Sequence, residues 1–356
     1  MLKIGKFEHR DSVALCKFSN SIGTHLNRKC TVGYHEHSMS TLRKFIDKCN
    51  IDSETLYDEA MSSHTTFRIG GPADAFVRPR TPGSFSKLLS AAAAEGIPVA
   101  LVGGGANLLV ADSGVRGIVV STAFLRSVSF QPEGFTYVGA GLPVVDLVGE
   151  ALRRGLSGLE FAAGLPGSIG GAVFMNARCY DNEFADIIET IEYLLPGTPA
   201  AGDGTQCTTG IDRTDWAYKR TPFMPGGQFE GALIVGASLR LSPGDPVRIA
   251  SRMRELETDR AAKGHFDYPS AGSLFRNNRA FGRPVGKLLD ELGFRGRRVG
   301  DAMVNPKHAN IFVNAGNATA SDMMRLIDEA RAAVMDAFGF ELVPEVVLLG
   351  DFQSRA

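Results

Sequence analysis

The run Y268-P-S-A-G-S-L-F-R-N-N278 gathers two hydroxyls, a cation and two amides in a segment stiffened by a proline and left uncrowded by small residues. Such a set suits a polar, negatively charged ligand. Ser270 and Ser273 can exchange a proton, Arg276 can meet a charge, and Asn277 and Asn278 can fix orientation. A lone carboxylate, Glu345, stands in V343-P-E-V-V-L-L, where strand alternation puts it on one face with Val343 and Val347. That is a costly place for an unpaired charge, so Glu345 either forms a structural ion pair or works in a site. From these residues alone, capping of a loop is the stronger account of the two serines.

Two glycine systems add a second kind of chemistry. G103-G-G-A-N lies between apolar runs, so backbone N–H groups can approach an anion with no Cβ in the way. It is neither G-x-G-x-x-G nor a P-loop, and a tight strand-to-strand turn explains it about as well. The second, Gly164-Leu165-Pro166-Gly167-Ser168-Ile169-Gly170-Gly171-Ala172, suits a backbone laid flat against a planar or phosphorylated cofactor. Close packing of two strands is the alternative.

Strands alternating with helices must position these groups. S84-F-S-K-L-L-S-A-A-A-A-E-G reads as a helix with a serine cap, and V144-V-D-L-V-G-E-A-L-R-R as another with arginines in its last turn. F76-V-R-P ends a strand, and I97-P-V-A-L-V, G117-I-V-V-S and G231-A-L-I-V-G-A-S-L-R-L read as further strands. Residues 196 to 215 read as a loop. Pro246 to Lys263 forms a charged amphipathic helix, and T319-A-S-D is a capping box for a helix through about Phe338. E341-L-V-P-E-V-V-L-L-G reads as a final strand.

At 356 residues the chain has room for two or three domains, and 44% apolar and 22% charged residues describe a folded globular protein. A net charge of -1 argues against a nucleic-acid binder, so an anionic ligand must be met by local cations. Cys16, Cys30, Cys49, Cys179 and Cys207 form no C-x-x-C pair and no zinc spacing, which implies a reduced chain without a metal site. No apolar run approaches a bilayer span, and the first residues lack a signal-peptide core. Residues 1–50 read as a polar extension of the kind that stays disordered, with Met39 an alternative start to Met1.

T65-T-F-R-I-G-G-P-A-D, V102-G-G-G-A-N-L-L-V-A-D, G158-L-E-F-A-A-G-L-P-G-S-I-G-G-A-V-F-M-N-A, Y268-P-S-A-G-S-L-F-R-N, K307-H-A-N and L342-V-P-E-V occur in this order. Together they resemble the UDP-N-acetylenolpyruvoylglucosamine reductases, the MurB family of peptidoglycan precursor synthesis. The resemblance covers about Ser62 to Gly350. It implies an α+β chain: a two-subdomain FAD-binding domain of the vanillyl-alcohol-oxidase type over 51–243, then an α+β substrate domain over 244–356. It also implies non-covalent FAD, NADPH as reductant and UDP-N-acetylglucosamine enolpyruvate as substrate, in a cytoplasmic monomer. The modest distance from Tyr218 to Ser273 matches the short form, which lacks a tyrosine-bearing loop over the nucleotide.

Carried over position by position, the resemblance assigns FAD contacts to Thr66, Arg68, Ile69, Gly70, Gly71, Gly103, Gly104, Gly105, Ala106, Asn107, Gly164, Pro166, Gly167, Ser168, Gly170, Gly171 and Asn176. Tyr218, Lys263 and Asn277, and more loosely Asn310, match substrate contacts. Ser273 matches the proton donor and Glu345 the second catalytic residue. The third is an arginine after a tyrosine, and W216-A-Y-K-R departs from it: Lys219 aligns there and keeps the charge without the planar grip, so the role falls to Lys219 or is taken over by Arg220 or Arg178. Two other readings stand beside this one: an oxidase of the wider FAD fold acting on another substrate, and a nucleotide-binding module without turnover.

Overall fold

The computed structural model describes residues 39–195 and 206–352. The first layered unit is a four-stranded sheet, β1 (Ser53–Ala60), β2 (Pro72–Pro79), β5 (Val115–Ser121) and β3 (Val99–Val102), in that spatial order. β2 and β3 run parallel to β5, and β1 is antiparallel to β2. The central strand β5 carries the run G117-I-V-V-S because both of its faces are covered. Helix α1 (Met39–Cys49) and helix α2 (Pro82–Ala94) pack here, with Leu42, Phe45 and Ile46 of α1 in one core with Phe85, Leu88 and Ile118. Residues 39–49 are therefore part of this unit and not of a polar extension. The expected serine cap of α2 is Thr81 instead, whose Oγ1 accepts from Ser84 N at 3.2 Å.

The second unit is an antiparallel sheet of β12 (Gln206–Gly210), β11 (Ile188–Leu194), β13 (Leu233–Arg240), β7 (Phe135–Gly139) and β6 (Val128–Phe130). Its core is shared with α3 (Val144–Arg153), α4 (Ile169–Phe174) and α5 (Pro246–Ala262). Two short pairs complete it: β8 (Leu156–Ser157) with β14 (Ser242–Pro243), and β9 (Arg178–Cys179) with β10 (Asn182–Glu183). Ile249 and Met253 of α5 are buried in this core, so α5 belongs here and the boundary expected at 244 lies beyond it. Half of the loop expected over 196–215 falls outside the described residues, while Gln206–Gly210 is the edge strand β12.

The third unit pairs β15 (Ser270–Ser273), β18 (Ile311–Asn314), β17 (Ala302–Val304) and β16 (Arg298–Val299) under α6 (Val285–Glu291) and α7 (Ala320–Phe338). The Thr319–Asp322 capping box forms as its sequence requires. The end of the chain then returns: β19 (Val347–Leu349) runs parallel to β4 (Leu108–Val110), directly after the first glycine system. Glu345 precedes this short strand and lies outside it, in an irregular stretch where Pro344 bridges Phe275.

Candidate active site

One cavity of about 860 Å³ runs between the three units. Gly103–Asn107, Gly164–Ser168, Gly170 and Gly171 line it, together with Tyr218, Lys219, Ser273, Asn277 and Glu345. The two glycine loops touch each other. A Cβ at Gly104 would fall 2.6 Å from Gly167 Cα, and one at Gly103 would fall 2.5 Å from Ser168 Oγ. Ser168 Oγ instead accepts from Gly104 N at 3.0 Å and caps the short helix α4. Two backbones this close leave a floor of peptide groups without side chains, the surface a diphosphate or a flat ring needs. Gly104→Ala should push the loops apart at a cost of about 1–3 kcal/mol, weakening FAD binding roughly 10- to 100-fold in a flavin titration. An unchanged affinity would contradict the cradle.

The chemical end is assembled from separate segments. Arg276 N donates to Val343 O at 3.0 Å and Glu345 N to Leu274 O at 2.6 Å, so backbone pairing holds Glu345 beside the Ser273 segment. Asn107 Nδ2 donates to Glu345 O at 3.0 Å, tying the first glycine loop to the same place. Lys219 comes from a tight turn closed by Ala217 N to Arg220 O and Arg220 N to Ala217 O. Its φ of +54° is a left-handed conformation that a long side chain seldom adopts. That conformation delivers Lys219 Nζ to 2.5 Å from Glu345 Oε1, both side chains nearly buried at 13% and 11% exposure. The carboxylate that looked unpaired in the sequence thus has a cation. Beside it, burial first and the Glu345 charge second raise the pKa of the Tyr218 phenol.

Of the two alternatives to Lys219, Arg178 lines the cavity and leans on Asp181 at 3.4 Å, whereas Arg220 is exposed and lines none of it. Asn277 lines the cavity while its Oδ1 caps α6 through Val285 N at 3.0 Å. Four expected contacts lie elsewhere: Arg68, Ile69, Gly70 and Gly71 border a separate cavity of about 290 Å³ beside Asp112 and Thr319. Asn176, fully buried, accepts from Ala185 N and donates to Ala217 O, so its amide braces the Lys219 turn from behind. Asn310 is likewise consumed: its Oδ1 and Nδ2 hold Phe275 N and O at 3.0 and 2.9 Å, two residues beyond Ser273. Lys263 pairs with Asp259 at 2.6 Å and does not line the cavity.

Some lining groups carried no signal in the sequence. Arg260, in the last turn of α5, is 7% exposed, has no carboxylate partner among the described residues, and places Nη1 3.7 Å from Cys179 Sγ. Burial raises the pKa of Cys179, keeping it a neutral thiol. His265 is held down to about 4 by burial and then by the Arg260 charge. The unfolded chain therefore binds a proton that the folded chain refuses between about pH 6.5 and about 4. Stability contributed by neutral His265 is whole above that window and declines as the pH falls through it. Unfolding midpoints measured against pH should show this slope, and His265→Gln should flatten it; an unchanged slope would contradict it.

The residues fit FAD. Besides the glycine floor, Thr66 lines the cavity with a buried Oγ1 that has no hydrogen-bond partner among the described residues, a polar atom a ligand would satisfy. Comparison with known proteins agrees: residues 73–199 match the family model described as FAD binding domain. Fold and site together define an FAD-binding oxidoreductase of mixed helix and strand content.

Residues 264–349 match the model of the UDP-N-acetylenolpyruvoylglucosamine reductase C-terminal domain. A reductase of that name from Treponema denticola is 40% identical over 81% of this chain and 91% of its own, and one from Geobacter metallireducens is 38% identical over 85% and 97%. The crystal structure of the enzyme from Thermus caldophilus superimposes with a TM-score of 0.67 at 30% identity, covering 84% of this chain and 99% of that one. This chain belongs to the UDP-N-acetylenolpyruvoylglucosamine reductase family.

Proposed function

We propose that this chain reduces UDP-N-acetylglucosamine enolpyruvate to UDP-N-acetylmuramate with electrons from NADPH, as a step of peptidoglycan precursor synthesis. One observation carries the reading. Ser273, Glu345 and Lys219, from three distant segments, line the same cavity as the two glycine loops, and Lys219 pairs with Glu345 there.

Bound FAD would supply hydride-transfer chemistry between NADPH and the methylene carbon of the enolpyruvyl group. Negative charge then builds on the neighbouring carbon and its carboxylate, and the protein must hold that charge and quench it. Ser273 would hand its hydroxyl proton to that carbon and recover one from solvent. A serine hydroxyl is a weak acid, so this requires a strongly basic partner in a dry site, consistent with the near-burial around Glu345. Lys219 would meet the substrate carboxylate, with Glu345 fixing the ammonium in place. Arg260, a buried cation with no carboxylate partner among the described residues, offers a further anchor for an anionic ligand group.

All these groups come from one chain, so the proposal needs no second subunit, and it places the reaction in the cytoplasm, where NADPH is supplied. Incubation of the purified protein with NADPH and the enolpyruvyl substrate tests it. A product two hydrogens heavier, with stoichiometric loss of NADPH, is expected. NADPH left intact, or lost without that product, would overturn the assignment.

A further inference from the structure

Ser273 owes its place to an irregularity in strand pairing. Along β15 and β18, Ser270 pairs with Val313 and Ser273 with Ile311, so three steps on one strand match two on the other. The extra residue makes a bulge, with Gly272 at φ +75°, a conformation open to glycine. Strict pairing would set Gly272 opposite Ile311; the bulge sets Ser273 there instead, and Ser273 lines the cavity. Ser270, Ala271 and Gly272 are small, and register is weakly specified in a glycine-bearing strand with few side chains that choose a face.

Asn310, one residue before β18, closes that freedom. Leu274 N donates to Asn310 O at 2.8 Å, Phe275 N donates to Asn310 Oδ1 at 3.0 Å, and Asn310 Nδ2 donates to Phe275 O at 2.9 Å. The carboxamide pairs with Phe275 as the peptide of a neighbouring strand would. On the far side of the same segment, Glu345 N donates to Leu274 O at 2.6 Å and Arg276 N to Val343 O at 3.0 Å. Asn310 N donates to His308 Nδ1 at 3.2 Å, so all four polar groups of Asn310 are committed. Asn310 is 1% exposed and lines none of the cavity. A fully bonded buried amide of this kind specifies one register, which an apolar side chain of equal size could not.

We propose that Asn310 is a positioning residue for the proton transfer: it locks the register of the Ser273 segment past the bulge and against Glu345, and so sets where the Ser273 hydroxyl stands relative to the carbon it protonates. The inference rests on the reading of Ser273 as proton donor.

The two half-reactions of the flavin-loaded full chain, followed by rapid-mixing absorbance for Asn310→Ala and Asn310→Asp with and without Ser273→Ala, provide the test. At saturating enolpyruvyl substrate, Asn310→Ala should slow flavin reoxidation about 100-fold, the cost of displacing a reacting group by roughly 1 Å. Reduction by NADPH should keep its wild-type rate. Asn310→Asp, which keeps the shape and the bond from Phe275 N but loses the donor to Phe275 O, should fall between wild type and Asn310→Ala. In the Ser273→Ala background either substitution should slow reoxidation no further, because a misplaced hydroxyl and a missing one cost the same. An equal loss in both backgrounds, or equal slowing of both half-reactions, would overturn the positioning role and leave Ser273 as the donor. Wild-type reoxidation in Ser273→Ala alone would remove the donor reading and the positioning role with it.

Discussion

Ser273→Ala should lower turnover by about 10²- to 10⁴-fold, the usual worth of a positioned general acid, while NADPH reduces the flavin at the wild-type rate. The split follows from where Ser273 sits. It ends β15, paired with Ile311 of β18, and lines the cavity that the glycine loops also line. Nothing about the first half-reaction calls on this hydroxyl, because the charge it quenches does not exist until the enolpyruvyl carbon has been reduced. A methyl in its place leaves the backbone pairing of Leu274 with Asn310 and Glu345 untouched, so the fold should survive. Rapid-mixing absorbance of each half-reaction checks this. Equal slowing of both halves would assign Ser273 to binding and not to proton transfer.

Lys219→Met should lower both activity and stability. Removing one member of a nearly buried ion pair leaves the other as an uncompensated charge, at a cost of about 3–5 kcal/mol. Lys219 and Glu345 are such a pair, and the loss should appear as a clear fall in the thermal midpoint. The double variant Lys219→Met/Glu345→Leu should recover most of that stability, since a matched apolar pair replaces the ions. It should recover none of the activity. Lys219→Arg, which restores the residue type of the family, should keep both. A double variant no more stable than Lys219→Met would show that the pair does not couple, and full activity in Lys219→Met would remove this side chain from the reaction.

How much of this was legible in the sequence depends on the range of the interaction that fixes each residue. Helix α7 was readable because its capping box and its 3.6-residue apolar period are local, and the glycine loops were readable because glycine has few other reasons to cluster. Glu345 was flagged by its apolar neighbours, but the reason it is tolerated, Lys219, lies 126 positions away in an unusual backbone conformation. Asn176 and Asn310 show the converse. Their amides fit a ligand-binding motif, yet each is spent on backbone groups of distant segments, which only the folded chain brings within reach.

The most direct test reduces the flavin of the purified protein with one equivalent of NADPH in the absence of oxygen, adds UDP-N-acetylglucosamine enolpyruvate, and follows the flavin absorbance. Prompt return of the oxidised spectrum with one equivalent of the lactyl product is the predicted result. A flavin that stays reduced in the presence of that substrate would contradict the proposed reaction and direct attention to another oxidant for the same fold.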